Sequence, residues 1–304
     1  MYDLMIIGAG PAGIAASVYA ARKRLNAVLI SGDVGGQVNK TMGIENYLGY
    51  QFIEAPELIN KFQTQIGQYP IEQKIGEKIV RLDRIDGGFE AVSDSGSRYQ
   101  SSTAIFATGK SPRKLDVPGE AEYTVLGVTY CAICDGPVFA GQRVAVVGGG
   151  NSALEAALDM LKIAEYVDLI SLTSLTGDAV LIEKLNSSKN LTIHIGCQTV
   201  KIEGQQFVKS ITIKDVKSGQ ETQLEVGGVF IEIGLSPNSA AVRHLIKLNE
   251  LGEVPVNCSS ETEIPGLFAA GDVTSVPEKQ IIIAAGEGAK AALQANRYLQ
   301  RLTH

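Results

Sequence analysis

Short apolar runs recur along the chain, and several of them stop abruptly at glycine. The first, Leu4-Met5-Ile6-Ile7, ends at Gly8-Ala9-Gly10-Pro11-Ala12-Gly13; small residues then continue at helical spacing through Ala21, and a second apolar run fills 27–30. The pattern predicts strand, tight turn, helix and strand. In such a unit Gly8 permits the turn, Gly10 lets backbone approach a pyrophosphate at the helix N-terminus, and Gly13 lets helix and strand pack closely. The second strand ends Leu29-Ile30-Ser31, without the acidic residue that usually holds a ribose in this fold. Gly35-Gly36-Gln37 and Glu45-Asn46 follow. Their polar side chains suit the edge of a flavin ring, with a plain surface loop as the alternative.

Runs at 78–82, 89–92 and 98–100, separated by Gly87-Gly88 and by 94–96, predict a β-meander that leads into a strand at 103–108 ending on Gly109. Residues 110–118, with two prolines and mixed charge, make a linker. The whole pattern then repeats. A strand at 144–147 meets a GxGxxA turn, Gly148-Gly149-Gly150-Asn151-Ser152-Ala153, followed by a helix at 154–163 and a strand at 167–170. A second meander is expected from 191–195, 210–213 and 222–226, then a strand at 229–233 ending on Gly234, and a second linker at 235–239. Near the C-terminus, a turn and strand run from Ile264 to Gly271-Asp272, whose carboxylate suits a ribityl hydroxyl; a helix begins near Gln280 with small residues Ala284, Ala285, Gly286 and Gly288. Two such units in one chain predict an α/β, two-nucleotide architecture.

Composition adds limits. The chain has 304 residues, 45% hydrophobic and 20% charged, which suits a globular protein of two domains. It opens directly on a strand without a basic leader and has no apolar run long enough for a membrane span, so it reads as cytoplasmic with no membrane partner. The net charge of −6 is confined to 114–238, where nine Lys/Arg face fifteen Asp/Glu. Nucleic acid, which needs a basic face, is not an expected partner.

Candidate chemistry centres on Cys131-Ala132-Ile133-Cys134-Asp135-Gly136, which holds two of only four cysteines. Two intervening residues let both sulfurs share one helical turn, whose N-terminal end favours thiolate. Asp135 is placed to shuttle the proton that thiol and thiolate exchange. A zinc site would need two further ligands from Cys197, Cys258, His194, His244 and His304, none in paired spacing, and His194 and Cys197 read as facing opposite sides of one strand. No metal is expected.

With these pieces placed, the chain resembles the low-molecular-weight thioredoxin reductase family along essentially its whole length. Gly8 to Gly13, Gly36-Gln37, Glu45-Asn46, Ala107-Thr108-Gly109, Cys131 to Gly136, Gly148 to Ala153 and Phe268 to Asp272 fall in that family's order and spacing. The resemblance implies two Rossmann-like, three-layer ββα domains. An FAD domain would comprise 1–113 and 239–304, with an inserted NAD(P)-type domain at 114–238 carrying the CxxC, in a homodimer. It implies FAD contacts from Gly8, Gly10, Pro11, Ala12, Gly13, Ser31, Gly36, Gln37, Asn46, Thr108, Gly109, Gly271, Asp272, Lys279, Gln280 and Ile281. It also implies a cycle in which Cys134 faces the flavin, Cys131 attacks the disulfide of a thioredoxin-like protein, and Asp135 gives and takes the proton.

One departure matters for the electron donor. Members that use NADPH hold its 2′-phosphate with a His-Arg-Arg segment and another Arg after the second Gly-rich unit, where this chain reads Ser171-Leu172-Thr173-Ser174-Leu175-Thr176-Gly177-Asp178. No arginine occurs between Arg143 and Arg243. Ser171 also lacks the acid that NAD would want. The chain thus resembles the subgroup without the phosphate motif, some of whose members take electrons from ferredoxin. Two alternatives are an NADPH enzyme with atypical contacts and a flavin redox sensor that does not turn over. An acidic ferredoxin would need a basic docking face, and the candidates are Arg22-Lys23-Arg24 and Lys110, Arg113 and Lys114. Lys279-Gln280 stands where the family usually has Arg-Gln, which removes a bidentate fork.

Overall fold

The computed structural model describes residues 1–41 and 43–302. The first apolar run is strand β1 (Tyr2–Ala9), followed by helix α1 (Pro11–Arg22) and strand β2 (Ala27–Val34). β1 and β2 pair in parallel, Leu4 opposite Ala27 and Ile7 opposite Ile30. Gly8 takes φ +108°, and a Cβ there would lie 2.3 Å from the Ala107 carbonyl oxygen, so both conformation and space demand glycine. Pro11 occupies the first turn of α1, where its missing N–H costs nothing.

The apolar pattern does not divide the following stretch into elements. A 3₁₀ turn (Gly36–Lys40) leads to the short pair β3 (Gly43–Ile44) and β4 (Ile53–Glu54), then to helix α2 (Ala55–Ile66) and strand β5 (Glu72–Ile75). β5 reads Glu-Gln-Lys-Ile and sits at the sheet edge, so burial imposes no apolar run on it. The meander is β6 (Ile79–Ile85), β7 (Gly88–Ser93) and β8 (Arg98–Phe106). Here the expectation needs correction: the runs at 98–100 and 103–106 are one strand. β8 is antiparallel to β7 through Ser101 and parallel to β1 from Ser101 to Phe106. Ser101, between the two runs, and Thr103, which opens the second, are buried with their hydroxyls bonded to backbone carbonyls. The strand order is β5-β2-β1-β8-β7-β6.

Beyond β9 (Lys110–Pro112) the second unit begins with β10 (Val128–Thr129), helix α3 (Ala132–Asp135), β11 (Arg143–Val147), α4 (Asn151–Met160), β12 (Tyr166–Ser171), α5 (Ala179–Asn186) and β13 (Leu191–Ile195). An antiparallel sheet follows, β14 (Cys197–Gly204), β15 (Val208–Asp215) and β16 (Glu221–Glu225), and then β17 (Gly228–Ile231) returns to the parallel sheet. That sheet runs β10-β17-β11-β12-β13. Residues 191–195 belong to the parallel sheet, paired with β12, and do not open the meander. Gly196, at φ +73°, divides His194 from Cys197, so the two lie in different sheets rather than on opposite faces of one strand. His194 Nε2 lies 2.9 Å from Asp168 Oδ1, and Arg143 Nε donates to Asp168 Oδ2 at 2.7 Å. Burial alone would raise the Asp168 carboxyl, but the bonds from His194 and Arg143 outweigh it and hold it below the usual carboxylate range.

The two linkers pair with each other. β18 (Leu235–Pro237) runs antiparallel to β9, and Asn238 ties the ribbon back by donating to the Thr108 carbonyl at 2.8 Å. The chain then rejoins the first sheet through β19 (Leu267–Ala269), parallel to β8, and closes with α6 (Ile281–Leu302). Successive β1 residues feed opposite layers. Leu4 and Ile6 pack with Leu29, Phe268 and the alanines of α1 and α6, whereas Met5 and Ile7 pack with Val28, Ile30, Phe106 and Val242. Each such buried side chain contributes about 1.5–3 kcal/mol. The architecture is α/β, with two Rossmann-like nucleotide-binding domains. No described helix is long and apolar enough to cross a membrane.

Candidate functional site

Cys131 caps the N-terminus of the one-turn helix α3 and is joined to Cys134 as a disulfide, with Cα atoms 5.3 Å apart. The Cys134 N–H points at Cys131 Sγ, at 3.2 Å. Pro137 follows in a 3₁₀ turn (Gly136–Phe139), which ends α3 after a single turn. Asp135, 1% exposed, accepts a hydroxyl hydrogen bond on each carboxylate oxygen, from Thr129 and from Thr41. Thr129 also accepts the Cys131 N–H at 3.2 Å. Thr41 comes from the segment after the first Gly-rich turn, 94 residues away, so one carboxylate joins the dithiol turn to the first nucleotide-type unit.

Around the first Gly-rich turn the structure assembles many of the residues singled out above. A Cβ on Gly10, the N-cap of α1, would meet nothing within 4 Å, whereas one on Gly13 would lie 1.7 Å from the Gly8 carbonyl oxygen. Pro11 and Ala12 form the first turn of the helix behind that open space. Gly36 leans over it, its Cβ position 3.5 Å from Gly10 Cα, with Gln37 next in the 3₁₀ turn. Asn46 Nδ2 donates to Gln280 Oε1 at 3.1 Å across 234 residues, just before Ile281 opens α6. The Gly271 N–H is held by Glu287 at 2.8 Å. Asp272 follows it, half-buried; burial pushes its carboxyl up, and no hydrogen bond from the described residues reaches it.

Other candidates make bonds within the protein. Ser31 uses its carbonyl to accept the Gly76 and Glu77 N–H groups. The Thr108 hydroxyl donates to the Asn238 carbonyl at 2.9 Å, and Gly109 accepts the Asn238 N–H. Lys279 is the larger departure. Its ammonium donates to the Thr274 carbonyl at 2.7 Å and to the Val276 carbonyl, and lies 3.4 Å from Glu253. Burial and the neighbouring Lys110 pull its pKa down. Lys110 is likewise turned inward, 2.6 Å from Glu253 with a side chain only 9% exposed, which removes it from any docking face. Arg113 and Lys114 remain exposed.

At the second Gly-rich turn, Gly148 takes φ +148° and Gly150 caps α4 with open space at its Cβ position. A Cβ on Gly149 would lie 2.3 Å from Ser171 Oγ. The segment at 172–178 folds onto this turn: Thr176 donates its N–H to the Gly149 carbonyl at 2.8 Å, and the Asn151 side chain accepts the Asp178 N–H at 2.7 Å. It carries no Lys or Arg. Sequence reading missed Glu232, a half-buried carboxylate just past β17 whose oxygens accept from Ala132 N–H at 3.3 Å and from Ser152 Oγ at 2.5 Å. Its signal was an acid inside the apolar run 229–233. Among the described residues no His, Cys, Asp and Glu gather as a metal site, and His304 lies outside them.

Two Rossmann-like units with a disulfide between them define a nucleotide-linked disulfide oxidoreductase. The comparisons agree. The profile of the pyridine nucleotide-disulphide oxidoreductase family matches residues 2–289, and the chain belongs to that family. It is 40% identical over 301 residues to alkyl hydroperoxide reductase F of Staphylococcus aureus, a match that spans 99% of this chain but only 59% of that relative's length. Among solved structures, thioredoxin reductase from Streptococcus pyogenes superposes with a TM-score of 0.94 at 36% identity, covering 99% of both chains. Thioredoxin reductase from Giardia duodenalis gives 0.91 at 31%, covering 98% of this chain and 99% of that one. The chain is thus a member of a family whose cofactor is FAD, similar along its whole length to thioredoxin reductases and to part of alkyl hydroperoxide reductase F. The open helix N-terminus at Gly10 and the unsatisfied Asp272 carboxylate fit that cofactor's pyrophosphate and ribityl chain.

Proposed function

We propose that the chain reduces a thioredoxin-like protein disulfide through Cys131 and Cys134, drawing electrons from a donor other than NADPH, of which a reduced ferredoxin is the favoured one. The observation that carries the disulfide chemistry is the position of Cys131–Cys134 beside Asp135, whose carboxylate is shared with Thr41 of the first Gly-rich unit. FAD, when bound, supplies the electron pair. The disulfide takes up two electrons and two protons; Asp135 is placed to hold one of those protons next to the sulfurs. Cys131 then attacks the partner's disulfide as a thiolate, and Cys134 resolves the mixed disulfide, which returns the pair to its oxidised form. The similarity to alkyl hydroperoxide reductase F favours a second acceptor, a disulfide in a peroxide-reducing partner.

The donor reading is supported by the cation-free segment at 172–178 that folds onto the second Gly-rich turn. A 2′-phosphate without its two or three charge-assisted bonds, each roughly 1.5–3 kcal/mol, loses several orders of magnitude in affinity. In anaerobic stopped-flow, reduced ferredoxin is expected to reduce the flavin rapidly while NADPH and NADH at millimolar concentration do so negligibly. The basic face is Arg113 and Lys114 together with Lys40, which precedes the Thr41 that bonds Asp135 and whose pKa burial and the nearby Lys114 lower. Charge reversal at Lys114 should slow association with ferredoxin and flatten its salt dependence, leaving the flavin spectrum intact. Rapid stoichiometric reduction by micromolar NADPH restores the ordinary nicotinamide enzyme. A flavin that no donor turns over favours the sensor.

A further inference from the structure

Glu232 stands where the dithiol and the second Gly-rich turn meet. Strand order in the parallel sheet reverses between β11 and β17, and the crevice outside their carboxyl ends is where this fold takes ligands. Glu232 is the first residue past β17, and its carbonyl oxygen packs 2.3 Å from where a Gly148 Cβ would lie. One carboxylate oxygen receives the N–H of Ala132, which lies between the two cysteines, and the other receives the hydroxyl of Ser152, in the first turn of α4.

We propose that Glu232 is a positioning residue that clamps the Cys131–Cys134 turn to the second Gly-rich turn and so sets how readily the disulfide is reduced. The proposal rests on the redox reading of that pair. Reduction breaks the S–S bond and takes two electrons, supplied by reduced FAD or by a thiol couple; two protons complete two thiols, or one proton leaves Cys131 as thiolate. The N–H groups that open α3 favour that thiolate, the Cys134 N–H by pointing at Cys131 Sγ at 3.2 Å. Glu232 occupies one of them, Ala132 N–H, and adds a negative charge beside it. Glu155 on α4 is the titratable neighbour whose charge acts on Glu232, while Asp135 on α3 and Tyr130, whose hydroxyl donates to Glu120 at 2.9 Å, flank the two cysteines along the chain. Burial pushes the Glu232 carboxyl up, while Ser152 and Ala132 pull it back. The carboxylate thus disfavours the reduced pair and keeps the disulfide a low-potential couple.

The test uses the FAD-loaded chain equilibrated in glutathione redox buffers, with thiols alkylated and counted by mass. Glu232→Gln keeps the shape and one acceptor oxygen but removes the charge. It is expected to move the dithiol–disulfide equilibrium about tenfold toward the dithiol, about 30 mV for this two-electron couple. It should also shift the pH profile of Cys131 alkylation to lower pH. Ser152→Ala, which cuts the other end of the clamp, should move both readouts the same way by less, and it serves if the Glu232 variant folds poorly. A wild-type pair that titrates normally while both variants coincide with it in potential and pH profile overturns the clamp. A wild-type pair that does not titrate overturns the redox reading and the clamp with it.

Discussion

Cys134→Ser is expected to leave the flavin reducible and to lower electron transfer to any protein disulfide by at least roughly three orders of magnitude, because a thiol that acts as one unit with its partner cannot be half replaced. Cys131→Ser should lose turnover equally but with a different signature. Its remaining thiolate, on Cys134, would face oxidised flavin and give a broad long-wavelength absorption band. The asymmetry follows from the one-turn helix: Cys131 caps its N-terminus, whereas Cys134 lies within it, next to Asp135 and its link to Thr41. Absorbance of the two purified variants checks the assignment. A band in Cys134→Ser alone would exchange the roles of the sulfurs, and retained turnover in either variant would remove the pair from the mechanism.

The parts of the molecule that read clearly from sequence are those where one backbone conformation or one spacing admits few residues. Gly8 and Gly148 adopt positive φ against a carbonyl just past the end of another strand, and the two cysteines close across a single turn, so local pattern alone marks them. What escaped reading was set by partners far away in sequence. β13 has the alternating look of a meander strand, and only its pairing with β12 makes it parallel. The two linkers, 110–118 and 235–239, give no sign in either segment that β9 and β18 would pair. Lys110 resembles a surface cation because its burial depends on Glu253, 143 residues on. Glu232 reads as part of an apolar strand, since its two donors come from α3 and α4.

Gly10→Val should abolish FAD binding while leaving the chain folded, and the contrast with Gly13→Ala makes the result diagnostic. At Gly10 the backbone is extended, φ −75° and ψ −177°, which valine adopts without strain, and among the described residues no atom lies within 4 Å of its Cβ position. On the proposed site, what a side chain would displace there is a group bound at the N-terminus of α1. A methyl-bearing side chain would push a pyrophosphate held there off those N–H groups, and losing two or three such bonds costs about 3 kcal/mol or more, a hundredfold or greater loss of affinity. At Gly13 the added methyl meets the Gly8 carbonyl oxygen at 1.7 Å and its carbon at 2.8 Å, both backbone, so α1 must move off β1. That variant should lose stability and cofactor together. Flavin absorbance per chain, with thermal unfolding of the apoproteins, separates the two. Gly10→Val with an apoprotein midpoint like wild type but little flavin supports the pyrophosphate site, and full flavin occupancy in Gly10→Val would move the pyrophosphate elsewhere.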